Sequence, residues 1–233
     1  MDRIYCGPPP LPDQLWSSWN LDPPLLLALA LMGWLLRRDL AGLLAVAVLI
    51  LAFVSPLCAL SSALFSARVV HHVLLVAVAA PLLAWGLRAQ TAGGPALPLA
   101  VASVILWAWH LPAAYDAALS HVGVYWLMQI TLLASAVWFW RAAFARNGAP
   151  VLQLAAIIAN FAQMGMLGAI LTFAPAALYA AHAIAPFDWG ISALRDQQLG
   201  GLIMWVPAGL PYAVAAVTLA RQSWTRLRGD LSW

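Results

Sequence analysis

VLQLAAIIANFAQMGMLGAILTF, residues 151–173, runs for 23 residues without a charge. A hydrocarbon core of about 30 Å takes roughly 20 mostly apolar residues in a helix, so this stretch predicts a transmembrane span. The same ruler laid outward finds spans at 122–140, 96–110, 69–87, 40–58 and 21–36 on one side and 197–219 on the other. The first is the shortest, because its clean apolar run covers only 25–36 and must borrow Leu21 and the Pro23-Pro24 turn. Turn chemistry separates the spans: Arg37-Arg38-Asp39, Gly93-Gly94-Pro95, His110-Leu111-Pro112, Asn147-Gly148 and the longer stretch 175–196. Apolar residues make up 64% of the 233, charged residues 8%, and the mean hydropathy is +0.88, which excludes a soluble domain. The expected fold is all-α: a polytopic membrane helix bundle of seven transmembrane helices forming one integral membrane domain over residues 1–233.

All basic charge comes from Arg and all acidic charge from Asp. The net charge of +3 is spread along the chain, so no nucleic-acid partner is expected. Met1 to Cys6, followed by Gly7 and three prolines, lacks the charged-then-apolar plan of a cleavable signal peptide, and insertion is expected to use the first span. Cytoplasmic loops carry the excess of basic residues. Arg37, Arg38, Arg88, Arg141, Arg146, Arg221, Arg226 and Arg228 fall on one side of the seven spans, and Arg3, Arg68 and Arg195 on the other. This places the N-terminus outside and the C-terminus inside.

With that topology all five histidines, His71, His72, His110, His121 and His182, come to the outer half, with Cys58 at the outer end of the second span. Coordinating groups near lipid face the bundle interior or water and mark a site; histidines at headgroup level also occur simply as interfacial or packed residues, and both readings stand. Arg68, His71 and His72 share one helix face. His121, Tyr125, Met128 and Gln129 form a stripe on the fifth span; Asn160, Gln163 and Met164 line the sixth, where Gly165 and Gly168 allow close approach of a neighbour. Gln197, Gly201 and Met204 follow on the seventh. Imidazole with thioether or thiolate suits Cu(I) better than harder ions, although Met128, Met164 and Met204 are each of a type that more often packs than ligates. Cys6 and Cys58 both face the oxidising side, where a disulfide is permitted; Cys58 kept as a copper-binding thiolate is the alternative. Asp196 reads either as a helix-start carboxylate satisfying orphan amides or as a ligand, and Arg68 as a partner for Asp188 or Asp196. Many of the 13 Trp lie near span ends, as in an aromatic belt. No nucleophile–base set, phosphate loop or HExxH helix is present, so the chain is not expected to be an enzyme.

Several segments resemble the CtaG-related assembly factors of caa3-type cytochrome c oxidase. Asp196-Gln197-Gln198-Leu199-Gly200-Gly201-Leu202-Ile203-Met204-Trp205-Val206-Pro207 is similar to the signature opening that family's last helix. The stretch from Trp107 through His110 and Pro112 to Leu119 resembles its tryptophan-rich helix end, and His72-Val73-Leu74-Leu75 with Ala79-Ala80-Pro81 its third-helix pattern. The likeness runs from about Leu43 to Arg221. It implies a multi-pass protein of the bacterial inner membrane that assists delivery or insertion of copper into a haem-copper oxidase from the periplasmic side, with oxidase subunits and the lipid bilayer as partners. His72, His110, His121, His182 and Asp196 would line its outer cavity, with His71, Cys58 and Met204 as further metal candidates. The chain departs from the family at Arg68 and Val69, where the family has His and Met, and at Tyr125, Met128 and Gln129, where it has a His-x-x-Glu-His cluster. A guanidinium cannot ligate a cation and repels one. A metal-free structural partner of the oxidase that has lost the copper site is therefore the alternative, and a small copper transporter a third.

Overall fold

The computed structural model describes residues 5–86, 93–145 and 148–230, apart from the side chains of 222, 223 and 225–230. Arg3, Arg88, Arg146 and Asn147 thus lie outside the described residues, as do the side chains of Arg226 and Arg228. The regular structure of the described residues is helical throughout.

Helix α1 is Pro23–Leu35 and α2 is Leu40–Phe53. Asp39 starts α2 by accepting the Gly42 amide at 2.7 Å. The second expected span, 40–58, is not continuous. Pro56 cannot donate to the preceding turn and Ser55 caps a new helix by accepting the Leu57 amide. α3, Pro56–Ala63, consequently leaves α2 at 48°. The fourth expected span behaves alike: α6, Ala96–Trp109, ends at His110, and Pro112 opens α7, Pro112–Ser120, bent by 74°. The segment between the fourth and fifth expected spans is thus mostly helix rather than loop.

The third span begins earlier than its hydropathy indicates, at Phe65 rather than 69. α4, Phe65–Val73, passes through a π-helical turn, Leu74–Ala79, into α5, Ala80–Gly86. Pro81 explains the turn. It has no N–H to offer its own helix, and the Val76 carbonyl, five residues back, instead accepts the Trp140 indole N–H at 2.9 Å. α8, Val122–Ala143, and α9, Pro150–Thr172, are straightforward spans, whereas Pro207 separates α10, Ala193–Trp205, from α11, Gly209–Asp230.

Phe65–Gly86, Val122–Ala143, Pro150–Thr172 and Ala193–Arg221 are each long and apolar enough to cross a membrane, and the two bent pairs bring the number up to six. At 13 residues α1 reaches about 20 Å, short of the hydrocarbon thickness. The chain is therefore a polytopic helical membrane protein, and among the described residues four to six spans, rather than seven, meet the length criterion.

Small residues set the tightest crossing. A Cβ on Gly201 would come within 2.6 Å of the Gly168 carbonyl oxygen and the Thr172 amide, and one on Gly168 within 2.8 Å of the Gly201 oxygen. The backbones of α9 and α10 therefore touch. Gly200 gives the same freedom toward Phe65 on α4. One apolar core gathers Phe65, Tyr115, Trp140, Met164, Met204 and Tyr212; a second gathers Leu25, Leu49, Phe53, Leu75, Tyr125 and Met128. Leu31, Val104, Ile130, Ile158 and Leu210 point outward, as lipid-facing residues do.

Candidate functional site

The signature Asp196-Gln197-Gln198-Leu199-Gly200-Gly201 turns out to be a docking device. Asp196 is fully buried and its carboxylate accepts three bonds from the start of α4: the Phe65 amide at 2.5 Å, the Ser66 amide at 3.1 Å and the Ser66 hydroxyl at 2.5 Å. It is a helix-start carboxylate, but for a helix 130 positions earlier in the chain. Gln197 accepts the Leu178 amide and donates to the Ala176 carbonyl, and Gln198 donates to the Ala174 carbonyl. The loop after α9 is thereby tied to α10, while Gly200 and Gly201 bring α10 against α4 and α9.

That clamp fixes the helix carrying Arg68, His71 and His72, all three buried. The Arg68 Nε donates to the Ser61 carbonyl at 3.2 Å, and the guanidinium carbon stands 5.3 Å from the centre of the Tyr125 ring. Neither Nη of Arg68 has a hydrogen-bond partner in the protein, and the same holds for both ring nitrogens of His71 and for Gln129 Oε1. Arg68 is thus not tied to Asp196, whose oxygens are committed to α4. The His72 ring lies 5.8 Å from that of His71 and 6.3 Å from that of His110, centre to centre. His72 Nε2 accepts a long bond, 3.5 Å, from the Gln129 amide. His110 Nδ1 donates to the Leu106 carbonyl at 2.7 Å, and the His110 carbonyl accepts the Tyr179 hydroxyl.

His182 is buried in the segment between α9 and α10. Its Nδ1 faces the Ala63 carbonyl at 3.3 Å and must carry the proton, so Nε2 accepts the Tyr115 hydroxyl at 2.8 Å. Both nitrogens are in use. Burial, with the Arg68 charge adding to it against the opposing carbonyl bond, lowers its pKa to about 4 and keeps it neutral. Asp116 positions this residue by accepting the Ala180 and Ala181 amides. Phe65, Tyr115 and Tyr179 pack on one another with ring centres 4.4 to 5.7 Å apart, and the Phe65 and Tyr115 rings also face that of His182.

The remaining sequence-derived candidates fare differently. His121 is exposed at the N-cap of α8 instead of buried with the others. Met204 sits in the core against Gly168. Cys58 is bonded to Cys6, so its sulfur is not a thiolate, and of the two alternatives for these cysteines the disulfide is the one formed. The bond straps the N-terminal segment over this end of the bundle. Tyr5 stacks on Tyr125 at 5.0 Å, packs edge-on against Trp126, and donates its hydroxyl to Asp22 at 2.6 Å; burial and this bond raise its pKa. Gln129 also lines an otherwise mainly apolar cavity of about 290 Å³ between α1, α2 and α8. Among the described residues, no three His, Cys, Asp or Glu side chains gather as a group that would hold a metal ion.

Tyr115, Tyr179 and Ser66 are structural parts of this site that sequence reasoning passed over. Tyr115 lies inside the family-like stretch after His110, which is the one signal that pointed to it. The comparison with known proteins bears on the same regions. The family model described as cytochrome c oxidase caa3 assembly factor (Caa3_CtaG) matches residues 88–226, more than half of the chain, and begins after the helix that carries Arg68, His71 and His72. No curated protein and no solved structure matches the chain.

Proposed function

The chain belongs to the cytochrome c oxidase caa3 assembly factor family, and from that premise we propose that it assists assembly of a haem-copper oxidase in the bacterial inner membrane by contact with oxidase subunits, without holding copper of its own. The observation carrying the metal-free part is Arg68. A guanidinium that cannot be deprotonated occupies the face shared by His71 and His72. Around it His182 spends both nitrogens, Asp196 both oxygens and Cys58 its sulfur. These residues do not fit a resident copper ion. Contact with the oxidase is made through lipid-embedded helix faces. In this reading the histidine end faces the periplasm, with the N-terminus outside, the C-terminus inside and α1 counted as a seventh, short crossing. The arginine distribution supports that orientation, and so does the Cys6–Cys58 disulfide, a bond of oxidising compartments.

A second reading keeps copper as cargo. It is favoured by the row His71, His72, His110, whose rings follow one another at 5.8 and 6.3 Å, imidazole being a good ligand for copper.

Copper stoichiometry and Cu(I) affinity of the purified chain under reducing conditions, beside His72→Ala and His110→Ala, separate the two. Wild type without stoichiometric copper, in cells where deletion still impairs oxidase assembly, supports the metal-free partner. Near-stoichiometric copper lost in both variants supports the cargo reading. Deletion that leaves oxidase assembly and oxidase copper content untouched sinks both.

A further inference from the structure

The cavity of about 290 Å³ between α1, α2 and α8 serves neither reading of the protein's role. Leu25 and Leu29, four residues apart on the buried face of α1, form one wall, and Leu49 and Phe53, with the same spacing, form the floor on α2. Its rim is exposed: Ala28 of α1 and Ile130 of α8 both border the cavity and both reach the outer surface. Ile130 faces lipid, so the cavity is a slot that opens sideways into the bilayer. Its lining advances from Leu25 to Met32 on α1 and from Trp126 to Leu133 on α8, about 10 Å along each helix. Spread over that length, the volume gives a mean cross-section of roughly 30 Å². One hydrocarbon chain fits such a slot. A helix of a neighbouring protein, about 10–12 Å across with its side chains, needs at least about twice that section.

One end of the slot is charged. Asp22 borders it from the N-cap position of α1, yet its carboxylate does not cap that helix. Oδ2 accepts the Tyr5 hydroxyl at 2.6 Å; among the described residues Oδ1 has no donor, and no basic side chain pairs with the acid. Tyr5 also packs against Trp126, which puts Asp22 and the Trp126 end of the α8 wall together. Asp22 is only half-buried, so its open oxygen is within reach of a headgroup. Of the other lining residues, Gln129 turns its amide to His72, and apart from the Trp126 indole the rest are apolar. A carboxylate at the end of an apolar slot repels an anionic headgroup and attracts a cationic one, and a primary ammonium brings N–H donors for the open oxygen.

We propose that the slot between α1 and α8 binds one acyl chain of a phospholipid whose headgroup carries a primary ammonium, with that ammonium donating to Asp22 Oδ1. The chain lies along Leu25, Leu29 and Phe53 and enters past Ala28 and Ile130. The site is independent of any role in oxidase assembly.

The test is native mass spectrometry of the full chain in detergent, titrated with phosphatidylethanolamine or phosphatidylglycerol of identical acyl chains. The first phosphatidylethanolamine should bind about fivefold tighter than the first phosphatidylglycerol. Asp22→Asn should abolish that preference without weakening phosphatidylglycerol binding. Ala28→Phe, which fills the slot from an exposed rim position, should weaken the first binding step of both lipids by about tenfold. Leu27→Phe, exposed on α1 and outside the lining, should leave both unchanged. Equal binding of the two lipids by the wild-type chain overturns the proposal and does not depend on any variant folding. A preference that persists in Asp22→Asn, or first-step binding that persists at full strength in Ala28→Phe, overturns the assignment of the site.

Discussion

Replacing Asp196 by Asn tests the clamp between α10 and α4. The carboxylate takes three donors, at 2.5, 3.1 and 2.5 Å, in a fully buried setting. Hydrogen bonds to a charged group contribute about 1.5–3 kcal/mol each, and a helix cap about 1 kcal/mol as usually measured. Asn keeps the volume and one acceptor oxygen but turns an NH2 group toward an N–H or O–H that already donates. D196N should therefore lose about 3–5 kcal/mol, close to the loss in Asp196→Ala. Ser66→Ala, which removes the hydroxyl donor alone, should lose about 1.5 kcal/mol. For a chain of this size the D196N loss corresponds to a fall of about 10 °C in melting temperature, read by intrinsic fluorescence in detergent. The D196N/S66A double variant should lose less than the sum of the two singles, because the residues share a bond. A D196N melting temperature within a degree or two of wild type would refute the clamp.

Three further outcomes follow from the same structure. Gly201→Ala puts a methyl group 2.6 Å from backbone atoms of α9, so α10 must move away; a loss of about 1–3 kcal/mol is expected by the same melting assay, whereas Gly123→Ala, with open space around it, should be tolerated. Reducing Cys6–Cys58, which spans 52 positions, should remove up to about 4 kcal/mol of stability, and the C6S/C58S pair should match the reduced wild type and ignore reductant. His182, with its pKa lowered to about 4 in the fold, binds its proton more readily when unfolded. Its contribution is therefore fully present above about pH 6.5 and is lost as pH falls toward 4, amounting to about 3 kcal/mol, and H182Q should flatten that limb of the stability–pH curve.

Hydropathy found the long helices because a bilayer imposes a length, and α8 and α9 fall within a few residues of the predicted spans. It could not see that Ser55-Pro56 and Leu111-Pro112 restart helices at an angle, since an apolar run reads the same whether straight or bent. Nor did it see α4 begin at Phe65, because Ser66 and Arg68 lower the mean hydropathy there, while an acid 130 positions away makes up for it. The histidine cluster was legible as a face: Arg68, His71 and His72 follow from helical spacing. Its composition was not, because which ring nitrogens are in use depends on Tyr115, Ala63, Leu106 and Gln129, residues brought in by packing. The family likeness singled out Asp196 to Gly201 without distinguishing ligand from clamp. Both are reasons for a carboxylate at that position, and only its neighbours in space differ.

The Trp140 indole that serves the Val76 carbonyl places a constraint on order. Synthesis proceeds from the N-terminus, so Phe65–Gly86 enters the bilayer while Trp140 is still unmade. Until α8 arrives, a carbonyl freed by Pro81 lacks its donor in a medium that supplies none. The helix bearing the histidines therefore reaches its final curvature only when a later span comes to rest against it.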